Sequence, residues 1–117
     1  MIDKECKIAK EIITEEIQKS GLKVEKIYIF GSRARGDFNK DSDWDFFVIV
    51  DKNIDFKQKR KILLNIRRKV SEKKIPSDII IQSREITKQR KNNTGYLTYY
   101  VLKEGIKIWM KMQLKIG

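Results

Sequence analysis

The sequence has 117 residues, 40% hydrophobic and 37% charged with a single proline, which describes one folded domain around one core and excludes a disordered chain. Lys and Arg number 27 against 16 Asp and Glu, so the net charge of +11 favours an anionic partner: a nucleotide, a nucleic acid or an acidic protein. Histidine is absent and Cys6 is the one cysteine, which removes internal disulfides, His or Cys metal sites and every nucleophile that a histidine would activate.

Ile2, Cys6, Ala9, Ile13 and Ile17 recur at helical spacing between charged residues, so an amphipathic helix is expected over 3–19, with Cys6 in the core. Ser20-Gly21 stops it. "VEKIYIF" (24–30) fits a strand. Gly31 then breaks the chain, and "SRARG" reads as a turn or a short helix start capped by Ser32. "DWDFFVIV" (43–50) is the clearest strand. Asp43, Asp45, Phe47 and Ile49 fall on one face, with Trp44, Phe46, Val48 and Val50 on the other. Residues 56–73 form a basic amphipathic helix with Phe56, Ile62, Leu63, Ile66 and Val70 inward. Past Pro76, "SDIIIQ" (77–82) is a third strand. A last helix is expected from about residue 94 to 104, closed by Gly105, before the strand "IKIWM". This order makes a single α/β domain over 1–117, a mixed sheet flanked by helices. No apolar run approaches the ~20 residues that span a bilayer and the N-terminus lacks a signal peptide's apolar segment, so a cytoplasmic address is expected.

The window from Asp37 to Asp55 holds six of the eight aspartates in this basic chain. Residues i and i+2 of a strand share a face at roughly 6.5–7 Å, so Asp43 and Asp45 can converge on a hard cation. Without one, their like charges repel and raise each other's pKa. An ion with oxygen ligands, Mg²⁺ foremost, relieves the repulsion and takes its remaining ligands from phosphates. The Gly31-Ser32 bend offers the phosphate cradle: close backbone approach, amides and a hydroxyl, with Arg33 and Arg35 adding planar donors. Asp78, opening the third strand, can join the pair if that strand lies alongside, which would complete a two-metal phosphoryl-transfer site. Other motifs fail on specific residues. An EF-hand loop from Asp41 would need glycine where Phe46 stands and glutamate where Lys52 stands, and neither a Walker loop nor a Gly-x-Gly-x-x-Gly fingerprint is present.

Gly31-Ser32, the ten residues 33–42 and then Asp43-Trp44-Asp45, with Asp78 in "PSDIII" and the closing "VLKEGIKIW", resemble the minimal nucleotidyltransferases of the DNA polymerase beta superfamily. Trp44 stands where that family usually carries a smaller aliphatic residue. The resemblance implies a polymerase beta-like palm that transfers AMP from ATP with two Mg²⁺ ions. Asp43, Asp45 and Asp78 would then be the catalytic and metal-binding residues, and Gly31, Ser32, Arg33 and Arg35 would hold the nucleotide. It also implies a partner, a HEPN-type toxin modified on a tyrosine, with this chain as the antitoxin and the basic helix 57–74 as a candidate docking face. Two rivals stand beside it: transfer to a small hydroxylated molecule such as an aminoglycoside, and a non-catalytic basic module that binds a protein or, less favoured, a nucleic acid.

Overall fold

The computed structural model describes residues 3–110; Ile2 of the helical pattern and the outer ends of the expected 1–117 domain lie outside them. Asp3 accepts the amide of Glu5 at 3.0 Å and starts α1 (Lys4–Lys19), whose Cys6, Ala9, Ile13 and Ile17 are fully buried. Burial pushes the Cys6 thiol up to about 11, as for a structural rather than a reactive cysteine. After β1 (Val24–Phe30) comes α2 (Ser32–Arg35), a single turn. The expected Ser32 cap is corrected here: Gly31 is the capping residue and Ser32 the first helical one. Then follow β2 (Trp44–Val50), α3 (Phe56–Glu72), which Asp55 caps through the Gln58 amide at 2.8 Å, and β3 (Ser77–Ser83).

The helix α4 (Arg84–Arg90) is not foreseen by the hydrophobic pattern, since Ile86 is its one apolar residue; it forms because Ser83 Oγ accepts the Ile86 amide at 3.1 Å. The last helix, α5 (Leu97–Glu104), begins three residues later than expected, because Asn93 holds the preceding turn through the amides of Gly95 and Tyr96. β4 (Ile106–Met110) ends the described chain.

The four strands lie in the order β3-β2-β1-β4. β1 runs antiparallel to β2 and β4, while β3, reached through the α3 crossover, is parallel to β2. One sheet face, including Ile27, Phe46, Val48 and Ile81, packs on α1 and α3 as the main core. The other face, with Tyr28, Phe47 and Ile49, is covered by Val101 and Leu102 of α5. Gln82 holds that cover in place by accepting from Thr87 at 2.9 Å and Thr98 at 3.0 Å. The second layer is thin and leaves the beginning of β2 and β3 open. Among the described residues no helix is long and apolar enough to cross a membrane.

Candidate active site

Strand register brings the acids together. Phe30 faces Asp45 across the antiparallel pair, and Asp45 stands beside Asp78 across the parallel one. In-register neighbours point to the same face, so the two carboxylates emerge side by side on the thinly covered side of the sheet. The Trp44 amide donates to Pro76 O at 2.9 Å and locks that register at the strand entrance, one residue after Asp43. Asp43 and Asp78 are exposed, Asp45 half-buried. The Asp45 carboxyl is raised above its ordinary value, by burial first, then by the charges of Asp78 and Asp43, with Arg35 opposing. Three mutually repelling acids with oxygen donors only are a donor set for a hard cation.

Among the described residues no three acidic groups close into a ready-made metal cage. An open cluster is what Mg²⁺ accepts, because it takes one or two carboxylates and fills its shell with phosphate oxygens and water. The backbone leaves room for this. At Gly31 (φ 73°, ψ −154°) an added Cβ would collide with Asp45 Oδ2 and lie 3.2 Å from its Cγ. Only glycine lets the bend pass directly under the carboxylate. In the turn that follows, the amides of Ala34 and Arg35 both return to Gly31 O at 3.1 Å. The amides of Ser32 and Arg33, at the head of the helix, have no intrahelical acceptor.

The two arginines part company. Arg33 is buried, its guanidinium 4.3 Å from the Trp44 ring centroid and 4.6 Å from that of Phe38. Its Nε and Nη2 donate to Ser42 O at 3.3 and 3.0 Å. That puts it with Trp44 on the face opposite the carboxylates, where it braces the loop between α2 and β2 rather than reaching toward a phosphate. Arg35 is exposed, pairs with Asp37 at 3.3 Å, and is the cation whose charge is felt at Asp45. Trp44 is buried and stacked on Phe46 at 6.2 Å, so the main core accommodates the unusual residue.

A cleft of about 280 Å³ opens beside Gly31, between α2 and α5, with Arg35 at one wall and Leu97, Tyr100 and Glu104 along the other. The helical spacing of those three residues is the signal that could have pointed to them, but it is indistinguishable in sequence from a core stripe. A larger cleft, about 760 Å³, lies elsewhere. It is lined by Leu64, Arg67, Arg68 and Lys74 on the α3 side, away from the carboxylate face; volume alone does not find the chemistry.

Residues 10–113 match a family model described as polymerase beta, nucleotidyltransferase. A proposed protein adenylyltransferase of Methanocaldococcus jannaschii is 39% identical over 41 residues, 35% of this chain and 41% of that protein, so the chain spans less than half of this relative. A crystal structure of a mutant of the toxin-antitoxin MntA-HpeT superimposes with a TM-score of 0.61 at 19% identity, over 95% of this chain and 77% of that one. A crystal structure of a toxin-antitoxin with AMP-PNP gives 0.53 at 20% identity, over 88% and 74%. Likeness at these identities carries the fold.

Proposed function

Since the chain belongs to the polymerase beta nucleotidyltransferase family, we propose that it transfers AMP from ATP to a hydroxyl of a partner protein. The observation that carries this reading is the Asp45 carboxylate, set against Gly31 and flanked by Asp78 and Asp43. Asp43, Asp45 and Asp78 would hold two Mg²⁺ ions. Bound there, the ions would supply charge neutralisation on the phosphates and a lowered pKa for the attacking hydroxyl. The amides of Ser32 and Arg33 and the Ser32 hydroxyl cradle the triphosphate, with Arg35 balancing its charge. The acceptor oxygen bonds to the α-phosphorus, the bond to the β-phosphate oxygen breaks, and pyrophosphate leaves. The Asp78 carboxylate takes the hydroxyl proton.

The relatives, a proposed protein adenylyltransferase and toxin-antitoxin pairs, support a protein acceptor. We assign the acceptor to the tyrosine of a HEPN-type toxin, with this chain as its antitoxin in the cytoplasm. Incubation of a purified HEPN-type toxin with the chain, Mg²⁺ and ATP tests the reading. Label from the α-phosphate should reach the toxin and label from the γ-phosphate should not. Transfer of the γ label, or equal α labelling by the Asp43→Asn/Asp45→Asn variant, would overturn it.

A further inference from the structure

We propose that the cleft between α2 and α5 is the subsite for the donor's base, a purine carrying an exocyclic amino group. Tyr100 stacks on its ring and Glu104 accepts from its amine. This rests on the transferase reading above and adds to it the residues that choose the nucleotide.

Three observations converge on the cleft. It is continuous with the phosphate bend, since Gly31 and Arg35 line it, and it lies on the carboxylate side of the sheet. At about 280 Å³ it sits near the lower bound of ~300 Å³ for small-molecule sites, the size class of one nucleoside rather than a protein segment. Its α5 wall places Leu97, Tyr100 and Glu104 at i, i+3 and i+7 of one helix face, with Val101 between them turned down into the core. Leu97 and Tyr100 are 45% and 44% exposed, so an apolar stripe that would normally be covered is open toward the cleft.

The side chains there suit a base. Tyr100 makes a T-shaped contact with the Tyr99 ring at 5.1 Å, and its 44% exposure leaves ring surface open to another aromatic system. Glu104 is the last residue of α5, where the helix macrodipole disfavours an anion and where Lys103 is the conventional charge. A carboxylate has no donor, so it selects a ligand edge that donates, the exocyclic amine of adenine or guanine. The helix that carries both residues is pinned to β3 by the Thr98–Gln82 hydrogen bond.

Calorimetric titration with Mg²⁺ present separates base from phosphate. The probes are ATP, GTP, purine riboside triphosphate and inorganic tripolyphosphate. The intact chain should bind ATP or GTP about ten- to a hundredfold more tightly than tripolyphosphate, the range that stacking of one base supplies. Tyr100→Ala should bring the nucleotide down to the tripolyphosphate affinity without moving the latter, and Tyr100→Phe should retain it. Glu104→Leu, which has no acceptor, should erase the preference over purine riboside triphosphate; whichever of ATP and GTP binds more tightly identifies the base. Unchanged ATP affinity in Tyr100→Ala, or an equal loss for both ligands, overturns the subsite. Equal affinity of the intact chain for ATP and tripolyphosphate overturns the subsite and leaves the transferase reading standing. Failure to bind either one overturns both.

Discussion

The α-carbon of Gly31 lies so close under the carboxylate of Asp45 that a single methyl group added to it would overlap Oδ2. The bend that would cradle phosphate and the acid that would hold the metal are thus one structural unit. Gly31 also occupies φ 73° and ψ −154°, backbone territory essentially reserved for glycine. Gly31→Ala should cost about 2 kcal/mol of stability and, by displacing Asp45, abolish Mg²⁺-dependent ATP binding. Thermal unfolding and a binding titration on the same sample check both halves.

Arg33 and Arg35 should separate stability from binding. Removing Arg33 leaves the Ser42 carbonyl without its donor and the Trp44 ring without its cation, so Arg33→Ala should destabilise by about 2 kcal/mol. Lysine should not restore it, because the flat guanidinium is what fits between Phe38 and Trp44. Arg35→Ala should leave the melting temperature nearly unchanged and weaken tripolyphosphate binding. Denaturant melts and calorimetry on the two variants read the split.

Trp44 carries a buried Nε1–H with no acceptor among the described residues. A buried donor left unpaired is a cost, while the ring's stacking on Phe46 and Arg33 is a gain. Trp44→Phe keeps much of the gain and removes the cost, so its stability should stay within about 1 kcal/mol of the parent. Trp44→Ala should lose about 3–5 kcal/mol. Urea unfolding of the two variants compares them.

The pH dependence of the metal-free protein follows from Asp45. Its carboxyl is raised from the ordinary 3.8 by burial and by Asp78 and Asp43, so between that value and the raised one the folded chain binds more protons than the unfolded chain. Stability contributed by this group therefore falls as pH rises through that window, and the deficit persists at neutral pH. Metal-free Asp45→Asn should be more stable than the parent at pH 7, with the difference vanishing as pH falls below 3.8. Thermal melts across pH in the presence of a chelator show whether it does.

Much of the fold was legible because its signals are local. The alternating residues of β2, the stripes of α1 and α3 and the run "SDIII" each encode their own element, although Phe56, expected inward, is exposed at the first position of α3. α4 was not, since its helix depends on the Ser83 cap and on the Thr87–Gln82 bond rather than on an apolar stripe. Asp43 and Asp45 announce themselves by spacing, but Asp78 becomes their neighbour only through the parallel register of β3 on β2, a tertiary fact. Charge type could not distinguish Arg33 from Arg35. Two helical positions separate them, and about 200° of rotation sends one into the aromatic layer and the other toward the carboxylates.

The central claim is that Asp43 and Asp45, with Asp78 beside them, bind ATP through Mg²⁺. Titrating ATP into the chain with Mg²⁺ and then with a chelator, for the parent and for Asp43→Asn/Asp45→Asn, addresses it most directly. The account predicts tight binding for the parent only when Mg²⁺ is present, and none for a variant that still melts as a folded protein. Equal Mg²⁺-dependent affinity in the two proteins would contradict it.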